Sequence, residues 1–91
     1  MESQTESAAG HSLYFYPSCG YCRMVGQAID QLGIEVELRD IHGDGPHLED
    51  LIAATGRQMV PCLRIESEDG ETRWMHESRD IISYLGERFG S

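Results

Sequence analysis

The sequence contains no lysine: all seven basic residues are arginines, against sixteen aspartates and glutamates. The resulting formal net charge of −9 repels the phosphate backbone of nucleic acids and anionic membrane surfaces. No apolar run approaches the length that is needed to span a bilayer. We therefore expect neither a nucleic acid nor a membrane as a partner.

The chain also has few cysteines, and its first residues lack the features of a secretory signal. Residues 1–7 are polar and acidic, without the basic and apolar regions of a signal peptide, so we expect a cytoplasmic protein. Thiols stay reduced in that compartment, and three cysteines cannot all pair within one chain. The cysteines are therefore expected to serve chemistry or the core rather than a disulfide framework.

The length of 91 residues predicts one domain. Residues 1–12 are small and polar with no hydrophobic period, which predicts a disordered leader before a folded domain at 13–91. The hydrophobic pattern predicts strands over 13–16, 34–38, 62–66 and 71–75, and helices from Cys19 to a stop at Gly33, from about Pro46 to a stop at Gly56, and from about Ser78 to Phe89. This β-α-β-α-β-β-α order predicts an α/β fold with a four-stranded mixed sheet that is flanked by helices.

The sequence Cys19-Gly20-Tyr21-Cys22 follows a predicted strand and opens a predicted helix, the context in which a CxxC motif indicates redox chemistry. The unpaired amides and the positive end of the helix dipole stabilise a thiolate at Cys19. Cys22 lies one turn further on, less exposed, where its thiol can resolve a mixed disulfide. A zinc site and a pair of core cysteines are the alternatives, but no second ligand pair accompanies the motif, and we predict no metal site.

Val60-Pro61 directly precedes the third predicted strand. A proline is tolerated at the first residue of a strand, so an ordinary strand start is one interpretation. Cis bonds are uncommon even before proline. Because the same chain also contains a CxxC motif, we nevertheless expect a cis peptide bond between Val60 and Pro61.

Three segments together resemble the glutaredoxin family, most closely the branch near the N-terminal domain of glutathione S-transferases. The segments are residues 14–22, 59–61 and 77–81, and the similarity runs from about Leu13 to Phe89. The resemblance implies a thioredoxin-like fold, a cis proline that faces the CxxC motif, and glutathione bound across both.

The resemblance also implies roles for individual residues. Cys19 is similar in position to the nucleophile of the family and Cys22 to the resolving thiol. The residues implied in glutathione binding are Tyr21, Arg57, Gln58, Val60, Pro61, Glu77 and Ser78. Among them, the Val60 backbone would pair with the cysteinyl part of glutathione, while Glu77 and Ser78 would hold its γ-glutamyl end at a helix start.

Several of these positions keep a second interpretation. Arg57 and Gln58 would hold the glycine carboxylate in an order opposite to that usual in the family, or they are solvated loop residues. Glu77 and Ser78 would also serve as helix caps. Cys62 fits a small buried apolar residue.

Two positions depart from the usual family pattern. Tyr16 stands where many glutaredoxins have lysine, and Gly20 stands where the common member has proline. Some family members without that proline hold a [2Fe-2S] cluster at a dimer interface with glutathione, so Cys19 is also a candidate iron ligand.

The resemblance implies a monomeric, glutathione-dependent oxidoreductase that reduces glutathionylated proteins and protein disulfides, with glutathione as co-substrate. One alternative is a cluster-bridged dimer that carries a [2Fe-2S] cluster. Another is a transferase-like or adaptor domain, which Glu77-Ser78 favours and the missing helical second domain argues against.

Overall fold

The computed structural model describes residues 6–42 and 45–90. Its elements, in chain order, are β1 (Glu6–Phe15), α1 (Gly20–Leu32), β2 (Ile34–Asp40), α2 (Pro46–Thr55), β3 (Cys62–Glu66), β4 (Thr72–Met75) and α3 (Ser78–Phe89). The strands form one sheet in the order β2-β1-β3-β4, with β2 parallel to β1 and the other neighbouring pairs antiparallel. The predicted thioredoxin-like α/β fold is confirmed.

The three helices end close to the predicted residues, and a glycine follows the last turn of both α1 and α2. Gly33 follows α1 with φ 70°, and its N–H donates to the carbonyls of Ile29 and Asp30. Gly56 follows α2 with φ 75°. A residue in the left-handed conformation after the last turn can donate its N–H to carbonyls that the helix leaves unpaired. Glycine adopts this conformation at little cost. No helix of the described part of the chain has the length and apolar character that a membrane crossing requires.

Strand β1 begins at Glu6, whereas the sequence analysis placed residues 6–12 in a disordered leader. The early part of the strand pairs with β2 through Glu6 and Ser7, and the register shifts before Ser12. The hydrophobic pattern did not predict this part of the strand, because contacts with distant parts of the chain hold its small and polar residues in the sheet. The buried His11 bonds through Nε2 to the Tyr84 hydroxyl of α3 at 2.7 Å. Residues 1–5 of the predicted leader lie outside the described residues.

Gly10 marks a close approach between β1 and β3. It has φ 80°, and a Cβ atom at this position would lie 2.6 Å from the carbonyl oxygen of Glu66. Only glycine combines this backbone conformation with such a short distance to a neighbouring strand. The residue thus lets β1 pass close to the end of β3, within the segment where the pairing with β2 shifts its register.

Hydrophobic side chains pack on both faces of the sheet. Helices α1 and α3 bury one cluster on one face, and its members include Leu13, Val25, Leu63, Ile81 and Leu85. Helix α2 covers the opposite face, where the buried residues are Tyr14, Ile41, Leu51 and Cys62. Because neighbouring residues of β1 point to opposite faces, the strand is anchored in both clusters and fixes the position of the turn that leads into α1.

Candidate active site

Cys19 is the N-cap of α1, where the chain turns from the extended conformation into the helix. Its φ and ψ angles are −83° and 121°, and its sulfur accepts a hydrogen bond from the Cys22 amide at 3.2 Å. The side chain is half-buried. The Cys19 sulfur therefore lies at the first amides of α1, the position that the sequence predicts for a helix that starts at this motif.

Cys22 has the opposite environment. Its side chain is buried in the first turn of α1. Burial, followed by the hydrogen bond with Cys19 and the proximity of that thiol, raises the pKa of Cys22 to about 12. Cys22 therefore stays protonated at neutral pH. The two thiols thus differ in exposure, since Cys19 is half-buried and Cys22 is buried.

All three cysteines are free thiols, and the third belongs to the core. Cys62 is fully buried against Tyr14, Ile41 and Leu51 on the face that α2 covers. Burial raises the pKa of Cys62 from its ordinary value of 9.0 to about 11. Within residues 6–42 and 45–90, no group of three or more histidine, cysteine or acidic side chains is arranged to hold a metal ion.

The raised pKa of Cys62 predicts a loss of stability in alkaline solution. Between pH 9 and 11 the unfolded chain loses the thiol proton while the folded chain keeps it, so the unfolded state binds fewer protons and the free energy of unfolding falls as the pH rises. Urea unfolding in the presence of a reductant measures this fall. We expect a steeper decline in the parent than in Cys62→Ala, and parallel declines would contradict the prediction.

A cleft of about 250 Å³ lies beside the start of α1. It is lined by Tyr21, Met59, Val60, Pro61, Glu77 and Ser78. The Val60–Pro61 peptide bond is cis, as predicted. The cleft thus brings together five of the seven residues that the resemblance implies in glutathione binding, from three separate segments. Met59 also lines the cleft, although the sequence analysis predicted no role for it; it directly precedes Val60-Pro61.

Glu77 has a strained backbone at the edge of this cleft. Its φ is 71°, the only positive value among the described residues that are not glycine. Glu77 is the N-cap residue of α3, but within the described residues its carboxylate accepts no hydrogen bond from a helix amide, so the predicted side-chain cap is not formed. A conformation of this kind costs roughly 1–3 kcal/mol and occurs preferentially at ligand sites.

Arg57 and Gln58 do not line the cleft. Both are exposed, and the Arg57 guanidinium lies 3.6 Å from the Met59 sulfur. The Gln58 amide donates a hydrogen bond of 2.9 Å to the Tyr16 hydroxyl. Gln58 therefore connects the segment before Pro61 to the segment before Cys19, a role that the sequence did not indicate.

Residues 13–91 match the family described as "Glutathione S-transferase, N-terminal domain". No curated protein matches the sequence significantly. The solved structures with similar folds include several glutathione transferases and a related isomerase.

Maleylacetoacetate isomerase from Anaeromyxobacter dehalogenans, with GSH bound in its active site, has a TM-score of 0.66 and 26% identity over 87% of this chain and 37% of its own. A delta-class glutathione transferase from Nilaparvata lugens has a TM-score of 0.68 and 25% identity over 89% and 37%. A glutathione transferase from Bombyx mori has a TM-score of 0.70 and 19% identity over 94% and 39%. This chain thus spans a little over a third of the length of these structures.

Proposed function

The chain belongs to the glutathione S-transferase N-terminal domain family, and from this premise we propose that it is a glutathione-dependent thiol–disulfide oxidoreductase of the glutaredoxin type. The observation that carries the proposal is the contrast within the CxxC motif. The Cys19 sulfur receives a helix amide, whereas the Cys22 thiol is buried and held protonated. A domain that only bound glutathione would not need a second thiol one turn behind the first.

The cleft supports glutathione as the co-substrate. The isomerase that holds GSH in its active site has a similar fold over 87% of this chain. In the proposed complex the backbone of Val60 pairs with the cysteinyl part of the tripeptide. The γ-glutamyl end lies at the start of α3, where helix amides favour its carboxylate and the Glu77 side chain favours its ammonium group.

The proposed reaction exchanges one disulfide for another. The Cys19 thiolate attacks the glutathione sulfur of a protein–glutathione disulfide, that S–S bond breaks, and the protein leaves as a thiolate that takes a proton from water. Cys19 then carries glutathione. The thiolate of a second glutathione attacks this new disulfide, which releases glutathione disulfide and restores the Cys19 thiolate.

Protein disulfides follow a second route, in which Cys22 takes part. Attack by Cys19 gives a mixed disulfide with the protein, and the Cys22 thiol, once deprotonated, attacks the Cys19 sulfur and releases the protein thiol. Two glutathione molecules then reduce the Cys19–Cys22 disulfide and leave as glutathione disulfide.

Turnover of a glutathionylated peptide tests the proposal. Release of the free peptide, coupled to formation of glutathione disulfide, is the expected result. An assay that detects only conjugation of glutathione to an electrophilic aromatic compound would favour a transferase-like domain instead. A brown dimer after reconstitution with iron, sulfide and glutathione, without peptide turnover, would favour the [2Fe-2S] carrier that uses Cys19 as ligand.

Because the backbone at Glu77 is strained, a substitution by glycine can distinguish a role of this side chain in ligand binding from a role in stability. We expect Glu77→Gly to raise the KM for glutathione about tenfold through loss of a charged contact, while the free energy of unfolding stays equal or rises because glycine relieves the positive φ. Steady-state kinetics and urea unfolding provide the two measurements. Glu87→Ala, on the exposed side of the same helix, is the control. An unchanged KM in Glu77→Gly would contradict the proposed contact.

A further inference from the structure

The two segments that flank the candidate active site leave the sheet at the same point. Strand β1 pairs with β3 in antiparallel register, and the last pair of this ladder is Tyr14 with Cys62. Two residues further along each strand, the same register would place Tyr16 opposite Val60, but the ladder does not continue there. The segment that leads into α1 and the segment that comes from α2 are therefore not joined by strand pairing beyond this point.

The backbone carbonyls at the end of β1 are used by other contacts. The Tyr16 carbonyl accepts a hydrogen bond of 3.2 Å from the Cys19 amide, which closes the turn into α1. The Phe15 carbonyl accepts one of 2.9 Å from the Ile41 amide. Among the turns and loops that the structure describes, no hydrogen bond between backbone groups involves Val60. Its backbone thus remains available for the cysteinyl part of glutathione, as the proposed function requires.

A hydrogen bond between two side chains joins these segments instead. The Gln58 amide donates to the Tyr16 hydroxyl at 2.9 Å, across 42 positions of the sequence. The Tyr16 ring is half-buried and packs against the buried cluster on the face that α2 covers, so its hydroxyl is held in place. Gln58 is exposed and precedes Val60 by two residues. The bond therefore restrains the Val60 backbone relative to the turn that carries Cys19.

We infer that Tyr16 and Gln58 are a pair of positioning residues that hold the glutathione-binding backbone of Val60 in line with the Cys19 sulfur. The sulfur of a bound glutathione unit must meet the attacking thiolate in a narrow range of positions, and a small displacement slows such a reaction strongly. An exposed hydrogen bond contributes little net stability, so the fold does not depend on the pair. The inference rests on the proposed binding of glutathione in the cleft.

Exchange with two different disulfides isolates this effect. In a protein with Cys22→Ser as background, the Cys19 thiolate attacks one sulfur of glutathione disulfide, that S–S bond breaks, and one glutathione leaves as a thiolate. The Cys19–glutathione disulfide then accumulates, and mass spectrometry follows it. Bis(2-hydroxyethyl) disulfide undergoes the same exchange without the peptide groups that the cleft would hold. The ratio of the two rate constants therefore reports on the alignment of glutathione rather than on the reactivity of Cys19.

We expect Tyr16→Phe and Gln58→Met each to lower this ratio about threefold to tenfold, through slower exchange with glutathione disulfide alone. Because the two side chains act through one hydrogen bond, the double variant should lose no more than either single variant. Gln31→Met makes the same chemical change at an exposed position of α1 and should keep the ratio of the background protein. Urea unfolding should give the same midpoint for all of these proteins.

Three results would contradict the inference, and they differ in what else they contradict. Unchanged ratios in both single variants, with glutathione disulfide still preferred, would overturn the inference and leave the proposed function intact. Equal slowing with both disulfides, or additive losses in the double variant, would assign the two residues a structural role and overturn it as well. A background protein that prefers glutathione disulfide no more than free cysteine does would contradict the proposed glutathione site, and the inference with it.

Discussion

Replacing Cys19 with serine is expected to lower glutathione-dependent reduction of a glutathionylated peptide by at least about 100-fold, because a serine hydroxyl does not ionise near neutral pH and forms no disulfide. Cys22→Ser is expected to keep at least half of this activity, since the route through a Cys19–glutathione disulfide needs only one thiol. The same variant should lose most reduction of protein disulfides, which requires the buried thiol. The coupled assay measures both activities.

The third cysteine provides the matched control for these two variants. Cys62 is fully buried on the face of the sheet that α2 covers, and Cys62→Ala is expected to keep peptide turnover within about twofold of the parent, since its thiol takes no part in the exchange. Turnover by Cys19→Ser at the rate of the parent would refute the assignment of the nucleophile. Equal losses in all three variants would indicate that damage to the fold, rather than loss of a thiol, lowers the activity.

Truncation of Leu85 is expected to have the largest effect on stability. Its side chain is fully buried in the cluster that joins α3 to α1 and to the sheet. Leu85→Ala should lower the free energy of unfolding by about 2–5 kcal/mol, a large part of the total of roughly 5–15 kcal/mol that is typical of small domains. Urea unfolding, followed by circular dichroism, measures the change.

Leu38 supplies the comparison for this experiment. It is also a leucine, but its side chain is 58% exposed on β2, so Leu38→Ala should change the free energy of unfolding by about 0.5 kcal/mol or less. A similar loss in both variants would contradict the placement of the core. Partial unfolding of Leu85→Ala without urea would agree with the prediction.

Features that depend on a short stretch of sequence could be predicted. Gly33 and Gly56 end their helices by a local preference for positive φ, and the start of α1 follows from the strand that ends before Pro17. The position of Cys19 at the first amides of α1 depends only on this junction. The redox assignment is therefore based on local structure.

Features that depend on distant contacts could not be predicted in the same way. Polar residues 6–12 join the sheet because β2 offers a parallel neighbour and because Tyr84 on α3 bonds to His11. Their composition carries no hydrophobic period that would indicate a strand. The positive φ of Glu77 is likewise imposed by the surrounding structure, since glutamate has no local preference for it.

The candidate site lies between these two cases. The resemblance implied five of the six residues that line the cleft, and the fold brings Tyr21, Val60 and Ser78 together from three segments. Arg57 and Gln58 were grouped with them by sequence position, yet Gln58 bonds to Tyr16 instead. Side-chain direction in an exposed loop depends on such partners rather than on sequence.

The rate at which iodoacetamide modifies each thiol near pH 6, with and without S-methylglutathione, tests most directly whether the helix start activates one sulfur beside a glutathione cleft. Mass spectrometry identifies the modified residue. We predict that Cys19 reacts at least about tenfold faster than free glutathione, well before Cys22 and Cys62, and that S-methylglutathione slows its reaction. Modification of Cys19 no faster than free glutathione, with no protection by S-methylglutathione, would contradict the account.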